Sequence, residues 1–463
     1  MLLKELLGLL AGLQGVFSQD RVLLRVQRQI IGMLCAVNSH SIARVLAAVG
    51  RDHLEWSSEY RLFSRSPWLL RDLFFHIIKE ALLFSGPEEE PIVLAGDFTH
   101  LPKSGKNTPF VCCMRDPLSP PFHTNLIFGL RFLQFTQICP FRAEHPALPS
   151  RSVPICFTSL PAVEKPGKKG TPEQWAEYRA AVKKKPTAHA CRRALEEARG
   201  DYDRLGASNR TLLVTLDGSF CNRVMMGEPI ERVELLCRCR KDAVLCEQAA
   251  TGSRGFYSKE KFSPESVRID EARPWQSAYF QIGGQAREIR YKEVSEVLWQ
   301  KGSQRRVLRL IVIAPTGYRL HVKGRLLYRQ PAFILTTDLT TPVEKLIRAY
   351  LDRWQIEINH REEKTTMGVG EAQVRNIQSV PRQPAFAVAI YSLLLLASLK
   401  AYGPKRTSDY LPPPKWVRRP SSRPSCQEML ALLRKQVLEN PEEMALREID
   451  VSALNLVLKA AAA

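Results

Sequence analysis

The chain lacks a paired-cysteine pattern. Its eleven cysteines are odd in number and scattered, with no repeated CxxC spacing, which excludes a disulfide scaffold and points to a reducing compartment. Cys237, Cys239 and Cys246 lie close in sequence, but no matching Cys or His pair follows. A zinc ribbon is therefore disfavoured, and VELLCRCRKDAVLC reads as buried strand. Long apolar runs are also missing. The longest, Ala385–Leu399, falls short of the roughly 20 residues a membrane helix needs and reads as a buried core helix. The opening segment, MLLKELLGLLAGLQGVF, is interrupted by Lys4 and Glu5, and no clean cleavage site follows. It reads as an amphipathic helix rather than a signal peptide. Acidic residues are in deficit, 47 against 67 basic ones, for a net charge of +20. With a membrane set aside, such a surplus points to nucleic acid.

What is present is ordinary for a globular protein. A composition 45% hydrophobic and 25% charged excludes disordered, collagen-like and coiled-coil chains, and 463 residues suit about three domains. No internal repeat is visible. Residues 1–88 are helical in pattern and form a candidate DNA-binding or dimerisation domain. Within them SHSIARVLAAVG has a Ser/His start, helical apolar spacing and a Gly stop. It suits the first part of a helix-turn-helix or a plain packing bundle equally well.

After the turn-rich SGPEEEP the period changes to that of strands. PIVLAGDFT, PFVCCMRDP and TNLIFGLRFLQFT read as strands, followed by a basic connector and a charged helix over about 172–199. RTLLVTLDG is another buried strand, and SFCNRVMMG a short helix. Residues 89–240 are thus a first α/β part. Residues 241–330 read as a β-rich insertion, with REIRYKEV and RVLRLIVIAP as strands. Residues 331–402 return to α/β with the strand QPAFILTTD. A helix over 341–364 follows, which the sequence starts at an N-cap Thr with Pro in its first turn. Residues 403–463 form a basic arm, Pro-rich over Pro412–Pro424, and a helical tail.

Two of the strands end in an acid, Asp97 and Asp217. Acids at strand ends sit where an α/β sheet opens its crevice. Two such carboxylates repel each other, and a hard dication such as Mg²⁺ relieves the repulsion. Either residue alone reads first as a turn or capping residue. On an unbroken helix, rotating about 100° per residue from Tyr350, Arg353, Glu357 and Lys364 fall within an arc of about 60°, with Arg361 close by. A carboxylate among cations on one stripe suits a metal and phosphate site. Periodicity alone equally gives a solvated, salt-bridged face.

The spacing Tyr350-x2-Arg353-x3-Glu357-x6-Lys364 matches the Y-R-E-K signature of bacterial insertion-sequence transposases of the DDE type, a family the chain resembles over roughly residues 40–400. Asp97-x-Thr99 followed by PKSGKNTP resembles the segment around the family's first aspartate. Asp217-Gly218-Ser219-Phe220 resembles the second-aspartate motif, D-G-x-[FY]. The resemblance implies an RNase H-like α/β core interrupted by a β-rich insertion and preceded by a helical N-terminal domain. It implies Asp97, Asp217 and Glu357 as a catalytic triad holding two Mg²⁺ ions, with Mn²⁺ as a substitute, and Tyr350, Arg353 and Lys364 as phosphate contacts. It also implies a bacterial cytoplasmic, nucleoid-associated enzyme. That enzyme binds double-stranded DNA at an element's terminal repeats and at the target, as a homodimer, and cuts and rejoins it.

The chain departs from some hairpin-forming relatives. QPAFILTTD carries no Trp, and the nearest aromatics are Phe333 and Tyr328, so the hairpin route stays open. Lys103, Lys106 and Arg361 are further candidate DNA contacts. His100 and His360 flank the acids and read first as structural histidines. Trp275 and Trp299 read as insertion core. Two rivals remain beside the transposase: a catalytically silent DNA-binding derivative and a structure-selective nuclease on the same fold.

Overall fold

The computed structural model describes residues 1–462 apart from 106, 117–118, 121, 124, 141–147, 161–162, 164, 185, 283, 320, 322–323, 414, 416 and 418–420. The helices are α1 Leu2–Ala11, α2 Asp20–Cys35, α3 Ile42–Ala48, α4 Ser57–Ser64, α5 Leu70–Leu82, α6 Pro172–Lys183, α7 Pro186–Arg204, α8 Arg223–Met226, α9 Pro264–Ile269, α10 Val343–Asp352, α11 Gln355–Thr365, α12 Ser379–Tyr402, α13 Cys426–Leu438, α14 Pro441–Ala445 and α15 Val451–Ala462. The strands are β1 Ile92–Pro102, β2 Cys112–Arg115, β3 Leu126–Cys139, β4 Arg151–Ser159, β5 Leu212–Leu216, β6 Val233–Arg238, β7 Gln276–Ile282, β8 Gln285–Leu298, β9 Val307–Ile313, β10 Gly317–Tyr318, β11 Leu327–Tyr328 and β12 Ala332–Thr336.

The fold is mixed α/β around one ten-stranded sheet in the order β2-β3-β1-β5-β6-β12-β9-β8-β7, with β4 also pairing β3. β3 runs antiparallel to each of its neighbours β1, β2 and β4. β5 is parallel to both β1 and β6, and β12, β9, β8 and β7 then alternate antiparallel. β4 escapes a sequence reading because Pro154 sits inside it, and proline removes a ladder donor. The pairing shifts register between Phe135 and Thr136, opposite Pro154, so the bulge absorbs the missing N–H. Gly96 lets β1 approach its neighbours closely: a Cβ there would meet Phe135 at 2.5 Å and Leu216 at 2.7 Å.

Alternating strand residues divide the core in two. One face, with Ile92 and Leu94 of β1 and Leu212 and Val214 of β5, is covered by α1–α5, α7, α12 and α13. The other, with Val93, Ala95 and Leu213, is covered by α10 and by Ile356 of α11. α12 is the centre of the first layer. It is longer than its apolar run suggested, 24 residues and apolar enough by length and composition to cross a membrane, yet its apolar window is 89% buried inside the protein.

β7, β8 and β9, from residues 241–330, continue the central sheet, and the helices of residues 1–88 share one core with it. Two helix expectations are corrected. The charged helix over 172–199 is two helices, divided before Pro186, which cannot extend the helix before it. The helix over 341–364 is also two, α10 and α11, broken at Arg353–Trp354. It is capped by Pro342, while Thr341 donates its N–H to Asp338 Oδ1 at 2.8 Å.

Leu6 of α1 is fully buried, in the layer that also holds α12 and the sheet. Leu6→Ala is expected to cost about 2–5 kcal/mol and to lower the midpoint of one cooperative transition seen alike by far-ultraviolet dichroism and by tryptophan fluorescence. Two separate transitions, with only the first moved, would show an independent N-terminal domain.

Candidate active site

The parallel pairing of β1 and β5 brings the two acids together, although β1 runs on to Pro102, so Asp97 lies inside its strand and only Asp217 follows a strand end. Gly96 is opposite Leu216, so Asp97 and Asp217 occupy the next row on strands about 4.8 Å apart. Their side chains share the face carrying Val93, Ala95 and Leu213, because side chains alternate along each strand. The other face locks the turn. Phe220, the aromatic of Asp217-Gly218-Ser219-Phe220, stacks on Phe98 with ring centroids 4.5 Å apart. The Phe220 N–H donates to the Asp217 carbonyl at 3.1 Å.

α10 and α11 lie over the acid-bearing face. Tyr350 packs against the apolar cluster there, and Ile356, next to Glu357, is buried in it. The break at Arg353–Trp354 ends the single stripe predicted for one helix, yet both halves still face the acids. The Arg353 guanidinium donates to Glu357 Oε1 at 3.3 Å. Burial pushes the Asp97 carboxyl up to about 6, and Asp217 nearby raises it further, while the Phe98 N–H, Arg353 and Lys364 pull against the shift. Glu357 is raised by burial and by Asp97 and Asp217, and lowered by Arg353. Burial lowers the Lys364 ammonium, against Glu363 and Asp97. Burial likewise raises the Tyr350 hydroxyl, which also lies within reach of Arg238, Arg353 and Asp217. Asp97, Asp217, Glu357, Tyr350, Arg353 and Lys364 thus form one electrostatic neighbourhood.

The remaining predicted residues are placed differently. The Lys103 ammonium donates to the backbone carbonyls of Gly370 and Ala372, so it ties β1 to the loop after α11 instead of standing free for DNA. Lys106 lies outside the described residues. Arg361 is exposed, one turn beyond Glu357 on α11. His360 is pushed down to about 3 by burial, with Lys364 and His100 adding to the shift, so it is a neutral neighbour. Trp275 is half-buried, with the Lys292 ammonium 4.7 Å from its ring centre. Arg423, near the end of the Pro-rich arm, donates to the Ser150 carbonyl and to Gln355 Oε1, each at 2.6 Å.

Two residues near the acids were not singled out in the sequence. Arg238 is exposed at the end of β6. Leu216 is opposite Cys237, so Arg238 falls in the row of Asp97 and Asp217. The signal was a basic residue ending the strand after the second acid. Glu363 is buried on α11 and accepts a 2.8 Å hydrogen bond from Gln134 Nε2, and Gln134 is the cross-strand partner of Asp97.

The donor set suits a hard dication. Three carboxylates supply oxygen ligands, and the burial that raises Asp97 and Glu357 is a cost that a bound cation offsets. The geometry is not a closed cage. Among the described residues no three of His, Cys, Asp and Glu are grouped tightly enough to hold a metal, and Glu357 is engaged by Arg353.

Glu363 generates a pH prediction. Burial raises its carboxyl from 4.5 to about 8, so the folded state holds a proton that the unfolded state releases. The stability contributed is present below the unfolded value and is lost as pH rises from about 4.5 through about 8. Glu363→Gln keeps the shape without the ionisation. It is expected to flatten this decline, leaving the variant about 2–4 kcal/mol more stable than wild type near pH 9. Chemical denaturation from about pH 5 to about pH 9 checks it, and parallel curves for the two proteins would refute it. No protein-family model matches the chain, and no curated protein is similar enough to it to count as a relative.

Proposed function

We propose that this chain is a Mg²⁺-dependent DNA transposase of the DDE type, which binds the ends of a mobile element as a homodimer, cleaves them and joins their 3′-OH groups to target DNA. The observation that carries the reading is the convergence of Asp97, Asp217 and Glu357 with Arg353 and Lys364 on one face of the sheet. The strand order supports it further. Three antiparallel strands followed by two parallel ones, β4-β3-β1-β5-β6, is the arrangement expected of an RNase H-like core. The positive surplus of the chain suits a phosphate-rich partner.

In this reading Asp97, Asp217 and Glu357 would hold Mg²⁺, which when bound would supply charge stabilisation to an in-line displacement at phosphorus. A water oxygen forms a bond to phosphorus as the bond to the 3′ oxygen breaks, and the leaving 3′ oxygen takes up a proton. The freed 3′-OH then attacks a target phosphodiester in the same manner, so no high-energy cofactor is consumed.

The chain's other groups hold the strand. Arg353, once released by Glu357, offers a planar fork that grips two phosphate oxygens, whereas Lys364 acts as a point charge. Tyr350 and Arg238 flank the same row. Such positioning counts because phosphates beside the break must stay aligned as the bond changes.

Asp97→Asn, Asp217→Asn and Glu357→Gln keep shape and remove a ligand charge. Each is expected to lower single-turnover cleavage of the element's terminal repeats in Mg²⁺ by about 1,000-fold or more, with binding of those ends within a few-fold of wild type. An acid whose variant cleaves at near wild-type rate does not belong to the triad. Cutting without joining by the wild-type protein would instead favour a nuclease, and end binding without cutting a silent derivative.

A further inference from the structure

We infer that α6 and the loop before it form a DNA-backbone clamp at the mouth of the candidate active site, an inference that rests on the transposase reading and names a surface it does not include.

The segment is rooted at the same end of the sheet as the acids, with the Arg131 side chain on the opposite face, over the Phe98 ring. Asp97 pairs with Gln134, which pairs with Phe157, so the end of β4 lies just beyond the row of the acids. There one residue, Arg131, holds both ends of the excursion. Its carbonyl accepts the Leu160 N–H at 2.8 Å, and its guanidinium donates to Thr187 Oγ1 at 2.9 Å, at the start of α7. Everything between Leu160 and Thr187 therefore leaves and re-enters the body at the active-site end of the sheet.

Between these roots the chain builds a helix that the rest of the protein does not need. Thr171 and Gln174 form a reciprocal N-terminal cap, and Pro172 opens the first turn, yet no residue of α6 is buried. Among the described residues it makes no substantial packing contact with another helix or strand. Its aromatics cover one another instead. Trp175 and Tyr178 meet edge to face at 6.0 Å, and Lys165 lies 5.7 Å from the Trp175 ring centre. A helix of this length standing alone is marginal in water, so the sequence caps a helix that has no internal face to bury.

Charge identifies the occupant. Lys165, Lys168, Lys169, Arg179, Lys183 and Lys184 are all exposed, and none of them forms an ion pair among the described residues. Against them stand Glu173 and Glu177 in the early turns, where carboxylates favour the helix N-terminus. Arg179 and Lys183, one turn apart, lie on a different side of the helix from that acid pair. A protrusion carrying unpaired cations, rooted at the mouth of a site for phosphodiester chemistry, matches the backbone of the duplex running into that site. Contacts to phosphate position a duplex without reading its sequence.

The test replaces all six cations with alanine in the full-length protein and measures duplex binding against salt, using a terminal-repeat duplex extended by flanking DNA. All six side chains are exposed, so the core should keep its hydrogen-exchange protection. The slope of log K against log [salt] should become shallower by about 3–5, at about 0.9 for each phosphate no longer neutralised. In the wild-type protein, the backbone amides of residues 173–183 should exchange quickly when free and slowly with DNA bound. An unchanged slope, with α6 exchange indifferent to DNA, overturns the inference. So does a variant whose sedimentation shows lost self-association while its DNA slope stays as in wild type, since α6 would then serve a second copy of the chain. Wild-type protein that lacks any salt-dependent duplex binding overturns the transposase reading itself, and the clamp with it.

Discussion

Charge confined next to charge is the constraint on which the architecture turns. Parallel pairing of β1 with β5 sets Asp97 and Asp217 in one row, and α11 brings Glu357 within their field. Asp97 and Glu357 lose hydration there, and burial drives the Asp97 carboxyl up to about 6. Such a cluster persists only with counter-charge nearby, supplied by Arg353 and Lys364. They come from opposite sides of the break between α10 and α11. Glu363, hydrogen-bonded to Gln134 one strand away, adds a further buried carboxyl, raised to about 8 by burial.

Much of this was legible because it rests on short-range rules. A buried apolar run leading into an acid marks a strand, so Asp97 and Asp217 are legible in the sequence, although β1 continues past Asp97 to Pro102. The Phe of Asp217-Gly218-Ser219-Phe220 has a physical reason in its stack on Phe98. Lys103 shows the limit. A lysine in a Ser/Gly-rich loop after an acid looks available for DNA, and only the fold reveals that Gly370 and Ala372 take up its ammonium. Arg238 was missed for the complementary reason. It lies in the acids' row through the register of β6 against β5, and register is a long-range property.

The broken helix could not be read locally. Nothing between Leu351 and Gln355 is a proline or glycine, so the periodic pattern runs on through the break. Tertiary contacts decide it. α10 is held from beneath by Arg348, which donates to the Gln281 carbonyl at 3.0 Å and lies over the Phe280 ring at 5.2 Å. α11 is held from elsewhere, with Asn359 donating to the Ser152 carbonyl of β4 at 2.9 Å and Glu362 accepting from Tyr391 of α12 at 2.5 Å. Two helices anchored to different parts of the sheet meet at an angle of their own, whatever their propensities.

That anchoring changes the meaning of the β-rich stretch. Read from sequence, residues 241–330 were an insertion beside the core. In the fold, β7 supplies Phe280 and Gln281 to Arg348. β8 supplies Tyr291, whose hydroxyl donates to Glu344 at 2.5 Å. β9 supplies Arg309, which donates to the Thr341 carbonyl at 2.6 Å just ahead of α10. Three successive strands thus form the bed on which α10 lies, and α10 carries Tyr350 and leads into Arg353. The strands that seemed to interrupt the core therefore set the height and angle of the helix that faces the acids. A loop of equal length closing directly onto β12 would leave Arg348 and Glu344 without these partners, and the row of carboxylates without a fixed cation above it.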